Sequence, residues 1–205
     1  MVLGILGGIA SGKSFAARLL AGSDGLVLDA DALAHEVLAS DEVTALVAER
    51  FGPGALGADG RPDRAALARI VFADPEARRA LEGWTHPRVR AMILARLEAA
   101  RAADLPRVVL DVPLLLENDE QHGFVGLCDA LIFVDADEEE RERRAAQKRG
   151  WPPGELARRQ AAQLPLPMKK QRADHVLANE GTAQELEDAV RGLLARLEPD
   201  APPKD

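Results

Sequence analysis

The sequence predicts an α/β fold: a parallel sheet with helices on both faces, a helical insertion and a lid. Three observations lead there. Short apolar runs at 2–6, 26–28, 107–112, 130–134 and 175–178 alternate with segments of helical period, and strands buried on both faces read as continuous apolar runs. The first run meets glycines and is followed by an apolar-periodic stretch at 13–21, the order strand, turn, helix. The runs are too short and too few for an eight-stranded barrel.

Taken in order, the strand at 2–6 leads into the helix at 13–21, and the strand at 26–28 is closed by Asp29, Ala30 and Asp31. Residues 32–104 are mostly helical around a Gly/Pro-rich loop at 52–62, with Pro87 expected to begin a new helix. That stretch is too large for a simple crossover, so it is expected to be an inserted helical subdomain. The third and fourth strands follow, then charge-dense helical sequence at 137–149 and, past the break at Pro152 and Pro153, at 154–163. A strand at 175–178 and a helix at 183–197 complete the fold. Residues 198–205 hold three prolines and no apolar side chain larger than alanine, the composition of a flexible tail.

The 205 residues suit one domain with one sizeable insertion. With 47% hydrophobic and 29% charged residues the chain has the composition of a soluble globular protein; at 3% aromatic, without tyrosine, its core must be aliphatic. A net charge of −8 argues against a nucleic-acid partner while leaving room for a local cationic pocket. The single cysteine, Cys128, excludes an internal disulfide and a thiolate zinc cage, so a reducing, cytoplasmic location is expected. No apolar stretch approaches the roughly 18 residues of a membrane span, and no basic residue precedes the apolar opening as in a secretory leader.

Residues 7–14, Gly-Gly-Ile-Ala-Ser-Gly-Lys-Ser, satisfy G-x-x-x-x-G-K-S/T directly after a strand and at the start of a helix. Glycines let such a loop curl around a polyphosphate, and the helix N-terminus aims free N–H groups and a positive dipole end at the same anion. The fold class is therefore P-loop NTPase-type. Gly8, Ile9, Ala10, Ser11, Gly12, Lys13, Ser14 and Phe15 are expected to bind ATP, Lys13 reaching the β- and γ-phosphates and the Ser14 hydroxyl ligating Mg²⁺. The competing readings are a glycine-rich turn with a chance lysine and a dinucleotide-binding turn. The latter needs G-x-G-x-x-G, which glycines at 4, 7, 8 and 12 do not supply.

Asp29 and Asp31 follow the second strand, expected beside the first, where a carboxylate would face the crevice of the loop. Asp31 would accept a proton from an attacking hydroxyl or cap a helix starting at Ala32; Asp29 would orient the site or hold Mg²⁺ through water. Arg141, Arg143, Arg144, Lys148, Arg149, Arg158 and Arg159 alternate with glutamates, which suits a solvated helix with i, i+4 pairs, or one or two arginines on a flap over the phosphates. The segment Asp111-Val112-Pro113-Leu114-Leu115-Leu116-Glu117 ends the third strand, its aspartate a Walker-B-like group or its apolar run a substrate wall.

These residues together resemble the dephospho-coenzyme A kinases, from residue 2 to about residue 181. The likeness rests on 4–14, the D-A-D at 29–31, F-G-P-G-A-L-G-A-D-G at 51–60, L-A-R-I-V-F at 67–72, His86-Pro87, D-V-P-L-L-L-E at 111–117 and Arg144, with Gln163, Lys169 and N-E-G at 179–181. The resemblance implies that Asp31 is the base for the ribose 3′-hydroxyl of dephospho-coenzyme A, with catalytic Lys13 and Arg144. It implies that Asp29, His86, Asp111, Pro113, Leu114, Leu115 and Glu117 surround the acceptor, that Arg144 belongs to a lid spanning about 137–172, and that Asn179 and Gly181 lie near adenine. Leu6, Ala10, Phe15 and Lys148 depart from the pattern, leaving open whether Lys148 or Arg149 is the second lid cation.

The implied reaction uses ATP and Mg²⁺ to convert dephospho-coenzyme A to coenzyme A, the last step of that synthesis. The partners expected are small molecules, with no nucleic acid or membrane, and the protein a monomer or weak homo-oligomer. Another small-molecule P-loop kinase acting on a nucleoside or nucleotide, or a non-enzymatic nucleotide switch, is the alternative; no N-K-x-D guanine motif favours the switch.

Overall fold

The computed structural model describes residues 1–198, so most of the expected tail lies outside the described residues. Five strands, β1 Val2–Gly7, β2 Leu26–Asp29, β3 Val108–Asp111, β4 Ala130–Asp135 and β5 His175–Ala178, form one sheet in the order β2-β3-β1-β4-β5. The pairs β1–β3, β1–β4 and β4–β5 are parallel. The fold class is the expected one, and each strand lies within a residue of its expected bounds.

One placement differs from the expectation: β2 borders β3, not β1. Burial explains it. All four residues of β3 are buried, as a strand between two neighbours must be, whereas only Leu28 of β2 is. The connecting helix α1, Lys13–Ala21, packs across β3 and carries the chain past it to the sheet edge, where Leu26 N–H donates to Arg107 O at 2.9 Å.

The chain divides into two compact units, residues 29–99 and the remainder. In the sheet unit, α1 and α10, Ala183–Leu197, bury Ala16, Ala17 and Leu20 and Leu186, Val190 and Leu193 with Leu3, Ile5, Ile132 and Leu177. The helical spacing of those residues turns one stripe of each helix toward the sheet. Thr182 and Glu185 close a reciprocal capping box that starts α10. Its far end corrects the frayed-tail expectation at Glu198, whose carboxylate meets the buried Arg107 at 2.9 Å.

The helical unit holds α2 Ala30–Leu38, α3 Asp41–Phe51, α4 Arg64–Ala73 and most of α5 Pro75–Ala102. Val37, Val43, Val47, Ala55 and Leu67 form its core, with the Phe51 and Trp84 rings 5.8 Å apart against it. Pro87 does not begin a helix; it lies inside α5. A proline there withholds the N–H that the Gly83 carbonyl would receive, a local cost of about 3 kcal/mol. Gly83 and Pro87 are both exposed, so water can reach that carbonyl. Trp84 packing and the Arg88–Glu42 and Arg96–Glu36 ion pairs hold the helix across it.

The remaining helices, α6 Asp119–His122, α7 Glu138–Arg149, α8 Glu155–Gln160 and α9 Leu166–Arg172, belong to the sheet unit. The sequence pattern does not reveal α6 or α9, both too short to show a period.

Candidate functional site

The loop after β1 curls back over the start of α1. Gly12 is the N-cap at φ +92°, where any side chain is strained and a Cβ would run into the Asn179 amide. Asn179, buried at the end of β5, donates from Nδ2 to Ser11 O at 2.7 Å. Arg144 on α7 donates to the Ser11 and Asn179 carbonyls at 3.3 and 3.0 Å and pairs with Glu140 at 2.7 Å. The structure thus brings Ser11, Gly12, Arg144 and Asn179 together. Lys13 Nζ donates to Gly8 O at 2.8 Å and Gly7 O at 3.2 Å. Ile9 and Ala10 form the half-buried crest, Ser14 is exposed in the first turn of α1, and the Arg18 guanidinium lies 5.8 Å from the Phe15 ring centroid.

Ala10 adopts φ +61°. An alanine in that conformation costs about 1–2 kcal/mol, part of which glycine would return as chain entropy on folding. Ala10→Gly is therefore expected to raise Tm by about 1–3 °C in a thermal melt; a lower Tm would show that the methyl group contributes more than the strain costs.

Asp29 and Asp31 lie at the start of α2. The cap is Asp29, whose Oδ1 accepts from Ala32 N–H at 3.0 Å, and the helix begins at Ala30. This corrects the expectation that Asp31 caps a helix starting at Ala32. Asp31 is exposed in the first turn, where a carboxylate is favoured by the helix dipole. His86 is exposed on α5.

The segment after β3 divides between core and surface. Asp111 is buried, Pro113 exposed, and Leu114 sits at φ +56°. Leu115 is 2% exposed and packs toward Gly4, so its side chain belongs to the core and not to a wall open to a substrate. Glu117 pairs with the buried Lys169 at 2.7 Å and accepts from Leu164 N–H at 3.1 Å. Gly181 has a steric requirement of its own, since a Cβ there would meet the Glu185 carboxylate of the α10 capping box.

Most of the charge-dense segment reads as solvated pairs. Glu140 takes Arg143 and Arg144, and Glu155 takes Arg158 and Arg159; hydrogen bonds from these guanidinium groups hold both carboxyls down to about 2. Trp151 lies between two cations, Arg149 at 4.9 Å and Arg159 at 4.5 Å from its ring centroid. Arg141, one of the several candidate flap cations, stands beside the loop with Gln160 and Lys169, two residues given no role from sequence. The i, i+4 spacing of Arg141 and Ala145, the buried face of α7, is the signal that marks Arg141.

Burial pulls the Lys13 ammonium down to about 8; Asp111 opposes this, and Lys169, Arg149 and Arg141 add to it. Between about pH 8 and the ordinary lysine range the free protein therefore holds Lys13 neutral, while an anion bound beside it would restore the charge. Nucleotide binding at pH 9 is expected to take up about one proton, and affinity to fall as pH rises above about 8. Calorimetry in two buffers of different ionisation enthalpy checks this, with Lys13→Arg, charged throughout, expected to show no uptake.

Among the described residues no group of three or more His, Cys, Asp or Glu side chains converges as a metal cage. A single exposed Ser14 hydroxyl fits Mg²⁺, which draws most of its ligands from water and phosphate. No helix among the described residues is long and apolar enough to cross a membrane.

Comparison with known proteins gives one answer over most of the chain. The family described as CoaE, dephospho-CoA kinase, matches residues 1–185. A dephospho-CoA kinase of Symbiobacterium thermophilum is 42% identical over 182 residues, covering 88% of this chain and 74% of the relative. A crystal structure from Thermus thermophilus is 39% identical and superposes with a TM-score of 0.76, covering 96% of this chain and 97% of the other. The dephospho-CoA kinase of Campylobacter jejuni, 22% identical with a TM-score of 0.72 over 96% of each chain, shares the fold.

Proposed function

The chain belongs to the dephospho-CoA kinase family, and we infer that it transfers the γ-phosphoryl group of ATP to the ribose 3′-hydroxyl of dephospho-coenzyme A, giving ADP and coenzyme A. The observation that carries this reading is the loop 7–14, set between the central strand and α1 inside a family match that spans the sheet and the helical unit. Phosphoryl transfer asks a protein for positioning and charge neutralisation more than for covalent chemistry. The loop amides and Lys13 bind the polyphosphate, and Arg144, already tied to Ser11 O, neutralises charge as the phosphoryl group moves. Ser14 would hold Mg²⁺, with Asp111 the nearby carboxylate, and the metal when bound shares in that neutralisation. Asp31 takes the proton of the acceptor hydroxyl.

In this reading the helical unit is a substrate-binding insertion, residues 137–172 close over the phosphates, and Asn179 lies near adenine. An ATP-dependent reaction suits the cytoplasm, as does a Cys128 thiol that burial pushes up to about 12 and so leaves unreactive. Among the described residues the exposed large apolar side chains Phe72, Met168 and Val176 fall on three different elements, which suits a monomer or weak homo-oligomer.

A coupled ADP-release assay tests the function. Dephospho-coenzyme A is expected to drive turnover, while adenosine, shikimate and nucleoside monophosphates are expected not to. Faster turnover with any of these would overturn the assignment.

A further inference from the structure

Arg141 brings a positive charge into the interior of the sheet unit with no carboxylate to meet it. It is 5% exposed. Glu140 is taken by Arg143 and Arg144, and among the described residues no acidic oxygen lies within ion-pair distance of Arg141. Its hydrogen bonds go to neutral oxygens: Nε donates to Ala136 O at 3.2 Å and Nη1 to Gln160 Oε1 at 3.1 Å. A buried guanidinium without a counter-charge is costly, so its retention calls for an anion.

The surroundings say which anion. Arg141 lies against the phosphate loop, so close that a Cβ on Gly8 would sit 2.8 Å from Nη1. The loop amide of Ile9 donates, at 3.4 Å, to the same Gln160 Oε1 that receives Arg141. Two donors, a loop N–H and a buried guanidinium, thus converge on one neutral oxygen. Gln160 Nε2 is buried without a partner, so the side chain is held through its oxygen alone. A charged phosphoryl oxygen would serve both donors better than a carboxamide oxygen does.

We propose that Arg141 is a nucleotide-binding residue whose counter-ion is the donor polyphosphate, and that Gln160 Oε1 occupies the place of one phosphoryl oxygen until the nucleotide displaces it. The proposal rests on the reading of residues 7–14 as the ATP phosphate loop. Displacement releases the C-terminal end of α8 from Ile9, which couples arrival of phosphate to freedom of the segment above it.

Arg141→Met removes the charge and keeps the unbranched stem. Calorimetry with Mg²⁺ and a non-hydrolysable ATP analogue, without acceptor, is expected to show Kd raised at least about tenfold, with circular dichroism unchanged. A smaller change, or a lowered Tm with Kd unmoved, marks Arg141 as structural and overturns the proposal. If Arg141→Met does not fold, Arg141→Lys decides: lysine keeps the charge without the fork, and Kd raised at least about threefold is expected, anything less overturning it. Gln160→Ala removes the internal competitor and is expected to tighten the analogue at least about threefold; unchanged or weakened binding overturns the displacement. Because no acceptor is present, a wild-type protein that ignores dephospho-coenzyme A would sink the function above and leave these outcomes readable.

Discussion

Lys13→Ala is expected to lower kcat by at least about 100-fold while the circular dichroism spectrum stays that of the wild type. The ammonium sits at the first position of α1 and spans the loop, donating to the Gly7 and Gly8 carbonyls. In the proposed reading it leaves these carbonyls and turns to the β- and γ-oxygens when nucleotide binds. Removing it exposes two carbonyls to water, a modest change, and places alanine where a helix favours it. Stability therefore gives little away, and the loss falls on the transferring phosphoryl group. Steady-state turnover with saturating ATP and dephospho-coenzyme A reads the effect. Undiminished turnover in a folded Lys13→Ala protein would remove the loop from the mechanism.

What the sequence made legible was local. The strand, the glycine turn and the lysine at the start of a helix are contiguous, so residues 2–21 announce both element and chemistry, and the sheet around them followed from short apolar runs. What it concealed depended on neighbours far along the chain. β3 could be known as the partner of β1 only from its complete burial, because the helical unit separates it from β2. Pro87 reads as a helix start by local rules, yet α5 runs through it because Trp84 and the ion pairs of Arg88 and Arg96 fix both sides. Arg141 was hidden among glutamates and arginines that do form surface pairs; only its burial separates it from Arg143. Glu198 has the sequence neighbours of a tail, yet its carboxylate meets Arg107, which lies 91 positions earlier. α2 begins two residues before its apolar period suggests, and that bears on chemistry, since it decides which aspartate caps.

Asp31→Asn is expected to lower kcat by roughly 10²–10⁴-fold while the dissociation constant for ATP moves little. Asparagine keeps the size of the side chain and much of its hydrogen bonding but cannot take the acceptor's proton. With Asp29 as the cap of α2, the substitution leaves the Asp29–Ala32 bond in place. Among other effects, the first turn of the helix loses a carboxylate that its dipole favours, worth about 0.3–1 kcal/mol. Three roles then separate on one protein. A base gives a kcat loss that added Mg²⁺ does not repair. A metal-orienting carboxylate gives a loss that added Mg²⁺ partly restores. A residue present only for its place in the helix gives near-wild-type turnover, and that last result would sink the assignment of Asp31.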